Sequence, residues 1–234
     1  MWPVDAESLI AYQRELATAA PTRWQPEGEV RIGGCWVCFP RGLSGPGATG
    51  DRAWATAVTM TGEQTVAEAV IEGGAGAAYE PGLLALRLGP LLEQAVGALA
   101  VRPEVLLVDA TGRDHPRRAG LALHLGAVLG LPTVGVTHRP LTASGDWPDD
   151  RRGAVGPLAI EGEVVAAWVR TRQGARPLVV HPGWRVDLGT AVELVVAATE
   201  GRRTPEPLRR ARHAARIRRG VSERRTISAD DRGA

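Results

Sequence analysis

The spacing of apolar residues changes partway along the chain, from the alternation of strands to the three-and-four spacing of helices. An amphipathic segment at 5–18 begins with Asp5, a candidate helix cap. Three strand-like runs follow at 32–39, 53–60 and 65–71, separated by turns rich in glycine and proline. Connections this short favour an antiparallel meander.

Helical spacing begins at residue 81, where Pro81 suits a first helical position and the apolar pattern continues to 99. A continuous apolar run at 105–108 ends in Asp109 and is typical of a strand buried on both faces. Further elements are predicted at 117–129 (helix), 133–136 (strand), 155–160 and 164–170 (hairpin), 178–180 (strand), 187–198 (helix) and 205–219 (basic helix). The order predicts a single α/β domain, a mixed sheet with helices on its faces.

Composition adds little to the predicted fold, but it excludes several classes of protein. The chain is 44% hydrophobic and 23% charged, and its formal net charge is only +2. Charged residues interrupt the start of the chain, and no apolar run is long enough for a bilayer span, so a cytoplasmic location without membrane contact is expected. Every basic residue is arginine, and arginines concentrate at 202–219. That cluster is either a phosphate track or a solvated helix face.

Four segments resemble the endonuclease V family. They read GGCWVCFP at 33–40, YEPGLLALRLGPL at 79–91, VDATGRDHPRRAG at 108–120 with PTVGV at 132–136, and GRRTPEP at 201–207. The resemblance implies an RNase H-like fold over 1–220, followed by a predicted mobile polar tail at 221–234. It also implies Mg²⁺-dependent endonuclease activity, which recognises deoxyinosine and cuts the strand on its 3′ side, with inosine-containing RNA a substrate of some members. Separately, we expect a monomer.

The chemistry of the family requires residues that this chain has replaced. Its strand-one aspartate, helix glutamate, strand-end aspartate, lysine and histidine correspond here to Trp36, Leu88, Asp109, His138 and Arg212. Only Asp109 remains as a catalytic and metal-binding residue, and one carboxylate does not make a usual Mg²⁺ site. We therefore expect an inactive or very weak enzyme that still binds DNA or RNA. Arg212 is expected to reach Asp109 and supply positive charge there.

The resemblance also marks residues for substrate binding. Tyr79 corresponds to the wedge that fills the gap left by a displaced base, and this interpretation is favoured over a loop tyrosine packed on its own turn. The base pocket corresponds to Pro81, Gly82, Leu83 and Gly112, and the His-Pro motif supplies His115. The same proline and glycines would also serve simply as a helix start and a turn.

Two alternative functions remain open at this stage. An active endonuclease would need a relocated metal site, drawn from Asp109, Asp114, Glu80 or Asp51. A domain that has drifted to protein interaction would need neither metal nor base pocket.

Three further residue groups have a metal or redox interpretation beside a structural one. The pair Asp114–His115 and His124 suggest either metal ligands or buried histidines bonded to backbone. Cys35 and Cys38 are three apart on a predicted strand, so they should point to opposite faces and act as buried cysteines.

Overall fold

The computed structural model describes residues 2–230, with side chains described through residue 224. Its elements are α1 (Ala6–Thr18), β1 (Ile32–Cys38), β2 (Arg52–Thr61), β3 (Gln64–Gly74), α2 (Leu84–Gly97), β4 (Val105–Val108), α3 (Leu121–Leu129), β5 (Thr133–Thr137), β6 (Val155–Ile160), β7 (Glu163–Val169), β8 (Leu178–Pro182), α4 (Leu188–Ala197) and α5 (Glu206–Asp230). Each predicted strand and helix has a counterpart in this order. The α/β class with helices on a mixed sheet is confirmed.

One eight-stranded sheet organises the fold, in the order β3-β2-β1-β4-β5-β8-β7-β6. The predicted meander is present, because β1 pairs antiparallel with β2 and β2 with β3. The pairs β1–β4 and β4–β5 are parallel. The carboxyl ends of these three central strands therefore lie at one edge of the sheet, where α/β proteins commonly bind ligands.

The central strand β4 shows why the apolar run at 105–108 reads as buried on both faces. Leu106 and Val108 belong to the core cluster on the side of α2 and α3. Val105 and Leu107 belong to the cluster that includes α4 and Leu208 of α5. Alternate side chains of a strand point to opposite faces, so all four positions are apolar.

The two cysteines follow the same alternation. Cys35 lies in the cluster of α2 and α3, whereas Cys38 packs with Trp54 and Ala215 on the side of α5. Both are free and buried, as predicted.

Two helix starts differ from the prediction. The helix expected from residue 81 begins at Leu84, because Gly82 adopts a φ of +81° and 80–83 form a turn closed by the Leu83 N–H on the Glu80 carbonyl. The helix expected from residue 117 begins at Leu121, because Arg118 has a φ of 57°, which a right-handed helix cannot contain.

The last helix is longer than predicted. It was expected to end at Arg219, and α5 continues to Asp230, so 221–230 are helical and the boundary drawn at 221 does not coincide with a helix end. Residues 231–234 of the predicted tail lie outside the described part, and its mobility stays a prediction. None of the helices in residues 2–230 combines the length and hydropathy that a bilayer span requires.

Candidate functional site

A cavity of about 150 Å³ opens at the edge where β4 and β5 end. Asp109 directly follows β4, Thr137 ends β5, and both line this cavity. Four of the residues singled out from the sequence lie on its wall, namely Tyr79, Gly82, Asp109 and His115. The tertiary structure therefore brings together segments that are thirty residues apart along the chain.

Asp109 is half-buried, and no hydrogen bond to its carboxylate is present among the described residues. Burial raises the pKa of Asp109 to about 6, and the positive charge of Arg212 opposes that rise. A carboxylate in a poorly hydrated site is disfavoured in its charged form, which explains the direction. Asp109 thus carries a negative charge at neutral pH at an energetic cost.

Three side chains bond to one backbone atom of the loop that presents Tyr79. The carbonyl oxygen of Gly82 accepts hydrogen bonds from Gln13 Nε2 at 3.1 Å, Arg117 Nη2 at 2.7 Å and His115 Nε2 at 3.1 Å. Arg117 Nε also donates to Gln13 Oε1 at 2.5 Å. Helix α1, the loop before α2 and the loop before α3 therefore meet at this carbonyl.

Neither Gln13 nor Arg117 was predicted to belong to the site. Gln13 did carry a signal, since it lies at helical spacing between Leu9 and Leu16 on the buried face of α1. A polar side chain on an apolar face needs a buried partner. The identity of that partner is visible only in the folded chain.

His115 is neutral at physiological pH. Burial lowers its pKa to about 4, and the hydrogen bond to Gly82 opposes that change. Its Nδ1 accepts the Arg117 N–H at 3.1 Å, so Nε2 carries the proton that it donates to Gly82. His115 thus holds the loop through its neutral imidazole.

The other predicted pocket residues lie elsewhere. Pro81 is exposed, and Leu83 is buried in the core cluster with α2. Gly112 lies against β8, since a Cβ on it would stand 2.2 Å from the Pro182 carbonyl oxygen. This glycine therefore permits close packing of two backbone segments, and it does not line the cavity.

Arg212 pairs with an aromatic ring, contrary to the expectation that it would reach Asp109. Its guanidinium carbon lies 5.0 Å from the centroid of the Trp36 ring. Among the ion pairs of the described residues, none joins Arg212 to Asp109. The two interact only through the field that partly offsets the pKa rise of Asp109.

Comparison with known proteins identifies the family. The sequence model of Endonuclease V matches residues 24–213. The chain belongs to the endonuclease V family. An endonuclease V of Streptomyces coelicolor is 39% identical over 214 residues, which are 90% of this chain and 89% of the relative. The crystal structure of the Streptomyces avermitilis protein has a TM-score of 0.83 at 36% identity and covers 95% of both chains.

A third comparison concerns the fold alone. Endonuclease V of Ciona intestinalis, solved in complex with a 24mer DNA containing an inosine, has a TM-score of 0.74 at 21% identity. It covers 91% of this chain and 96% of its own. The architecture is therefore that of endonuclease V along nearly the whole length of the chain.

The acids available in this member of the family do not fit a Mg²⁺ site beside Asp109. Asp114 is fully buried, and its carboxylate already accepts the N–H groups of Leu141, Thr142 and Ala143 at 2.7, 2.8 and 2.7 Å. Asp51 is bound to Arg87 at 2.9 Å. Mg²⁺ takes about six oxygens in octahedral geometry, usually including more than one carboxylate or phosphate.

The other residues that were considered as metal ligands, Glu80 and His124, do not complete a metal site at Asp109 either. Glu80 is exposed and does not line the cavity. The His124 ring stacks on the Trp2 ring with 4.3 Å between the ring centroids, and it meets the Tyr12 ring edge-on with 4.9 Å between centroids. No group of three His, Cys, Asp or Glu side chains with metal-binding geometry occurs in the part of the chain that the structure describes. The relocated metal site considered from the sequence therefore finds no support.

Trp36 and Leu88, which the sequence resemblance aligns with two acids of the family, do not line the cavity. Trp36 is half-buried on the side of α5, packed against the cluster of Cys38 and Trp54. Leu88 packs against the core cluster on the side of α2. The cavity beside Asp109 is therefore open, while the two positions supply apolar packing on opposite faces of the sheet.

Proposed function

We propose that this endonuclease V family protein binds inosine-containing DNA or RNA and retains the strand without cleaving it at an appreciable rate. One observation carries the proposal. The cavity keeps Tyr79, Gly82 and His115 around Asp109, whereas no second carboxylate among the described side chains is free to join Asp109 in holding a metal. The proposal is therefore that the residues for recognition are retained, whereas those for hydrolysis are not. A monomer working in the cytoplasm remains our expectation from the sequence.

Recognition would depend on a displaced base. Tyr79 is 48% exposed at the mouth of the cavity, so its ring is free to occupy the gap that an extruded base leaves. Unstacking a base costs a few kcal/mol, and a stacking side chain offsets part of that cost. Because Gly82 is held by three hydrogen bonds, the wedge would start from a fixed loop rather than a mobile one.

Hydrolysis would be slow for an electrostatic reason. In metal-dependent phosphodiester cleavage the ions activate water and neutralise developing negative charge. Here Asp109 offers one carboxylate, whose pKa of about 6 leaves it charged at neutral pH without a counterion in contact. A lone carboxylate would leave the negative charge that develops in the transition state without neutralisation, so the barrier to hydrolysis would remain high.

The test compares binding with cleavage on the same oligonucleotides. We expect the intact protein to bind a single strand containing inosine more tightly than its adenine counterpart, in EDTA as well as in Mg²⁺. Tyr79→Ala should remove the preference and Tyr79→Phe should retain it, because the ring and not the hydroxyl fills the gap. Nicking at the inosine site in Mg²⁺ or Mn²⁺, lost in Asp109→Ala, would refute the proposal.

A further inference from the structure

Two groups of arginines on α5 differ in their acidic partners. Arg209 and Arg210 both bond the buried carboxylate of Glu206, through Nε at 2.6 and 2.9 Å. By contrast, no Asp or Glu among the described side chains lies within ion-pair distance of Arg212, Arg216 or Arg219. The first group shares the negative charge of Glu206, whereas the second group has no acidic partner among the described side chains.

The second group forms a stripe along the helix. Arg212, Arg216 and Arg219 follow one another at spacings of four and three residues, which places them on one face of α5. They run beside the end of β1: Arg212 lies over Trp36, and Arg219 Nη1 donates to the Phe39 carbonyl at 3.2 Å. We call these three residues the arginine stripe.

The members of the arginine stripe repel one another. The pKa of Arg216 is lowered by burial first and then by the positive charges of Arg212 and Arg219. Like charges three and four residues apart destabilise a helix by a few tenths of a kcal/mol per pair. The stripe therefore lowers stability slightly in the free protein, and a bound polyanion would remove that cost.

The stripe begins at the candidate site. Cys35 of β1 is in register with Val108 of β4, so Trp36 and Asp109 are the next neighbours along the two parallel strands. Arg212, on Trp36, is close enough to Asp109 to influence its pKa. From there Arg216 and Arg219 continue past the end of β1 and away from the cavity.

We propose that Arg212, Arg216 and Arg219 form a phosphate track for the strand that leads away from the base cavity. This inference rests on the proposed function and names the backbone-binding part of the same site. Guanidinium groups bind phosphate oxygens through paired N–H donors and need no metal ion. At the cavity end, Arg212 supplies a fixed positive charge beside the one carboxylate that remains.

The chain offers a matched control on the same helix. Arg216 and Arg218 are both exposed, and glutamine removes one charge from either. Arg218, however, points toward β3, where it lines a groove with Glu68 and Ile217. The affinities of wild type, Arg216→Gln and Arg218→Gln would be measured for single strands with and without inosine, between about 0.05 and 0.2 M salt.

Arg216→Gln should weaken binding of both strands by about three- to five-fold at 0.15 M salt. It should also reduce the slope of log affinity against log salt by about 0.7, the value for one lost phosphate contact on a single strand. Arg218→Gln should behave as wild type. Melting temperatures of both variants would confirm that each is folded.

The outcomes separate this inference from the proposed function. Inosine preference with equal affinities in Arg216→Gln and Arg218→Gln would overturn the track and leave the base cavity standing. Salt-dependent binding that falls only in Arg216→Gln, without inosine preference, would support the track and overturn the proposed function. Absence of binding to either strand would overturn both.

Discussion

The guanidinium carbon of Arg212 lies 5.0 Å from the centroid of the Trp36 ring, on the side of the sheet that β1 shares with α5. A cation over an indole face is attracted by the quadrupole of the neutral ring, whose face is partially negative, by about 0.5–2 kcal/mol depending on solvent exposure. An aromatic ring thus holds the cation that the sequence suggested would be held by Asp109. The carboxylate remains unpaired, and the positive charge stays available for an anion.

A second carboxylate at position 36 should create a metal site. Trp36→Asp would place an acid on the strand next to Asp109, and two nearby carboxylates repel each other until a divalent ion binds them. We expect millimolar Mn²⁺ to raise the melting temperature of this variant, because a ligand that binds only the folded state stabilises it. Trp36→Asn is the neutral control and should show no shift. An equal shift in wild type would contradict the absence of a metal site.

Asp109→Asn should stabilise the protein in a pH-dependent manner. The pKa of Asp109 is raised in the folded state to about 6, so ionisation is opposed there and not in the unfolded chain. The resulting destabilisation is absent below pH 4, grows between pH 4 and 6, and is complete above pH 6. We expect a gain of about 1–3 kcal/mol in the free energy of unfolding at pH 7.5, vanishing near pH 4.

Urea unfolding at both pH values measures this effect. Asp146→Asn removes an exposed carboxylate and serves as the control for the change in net charge. A gain of the same size at both pH values would show that Asp109 acts through packing rather than through its ionisation.

Gln13→Ala should loosen the loop that carries Tyr79. The change removes one donor to the Gly82 carbonyl and the acceptor of Arg117 Nε. Leaving a part-buried guanidinium without that acceptor costs about 1–3 kcal/mol of stability. The preference for inosine should fall together with stability, because Tyr79 belongs to the loop that Gln13 helps to hold. Gln94→Ala, an exposed glutamine on α2, is the control. Full preference in Gln13→Ala would argue against the anchored loop.

Substitutions of Gly112 and Gly97 by alanine should affect the stability of the protein differently. A Cβ on Gly112 would lie 2.2 Å from the Pro182 carbonyl oxygen, so Gly112→Ala forces two backbone segments apart and should destabilise the protein by several kcal/mol. A Cβ on Gly97, at the end of α2, meets nothing within 4 Å. Gly97→Ala should therefore leave stability unchanged or raise it by up to about 1 kcal/mol. Thermal unfolding distinguishes the two.

Local patterns were sufficient to predict most of the architecture. A continuous apolar run identified β4 and the helical period of apolar residues identified α1, and three-residue spacing on a strand correctly separated Cys35 from Cys38. Family motifs also led to the wall of the cavity, where Tyr79, Gly82, Asp109 and His115 lie together. These features depend on neighbours along the chain or on motifs that are continuous in sequence.

Partners of individual side chains were decided only by the tertiary structure. Arg117 meets Gln13 across 104 positions of sequence, and Asp114 meets the 141–143 backbone, which changes it from a candidate ligand into a loop anchor. Arg212 stacks on Trp36, and Glu206 offsets part of the charge of one group of arginines, while the other group has no acidic partner among the described side chains. The sequence determines the charge and the hydrogen-bonding capacity of each side chain. Which groups become its partners depends on which distant elements lie close together after folding.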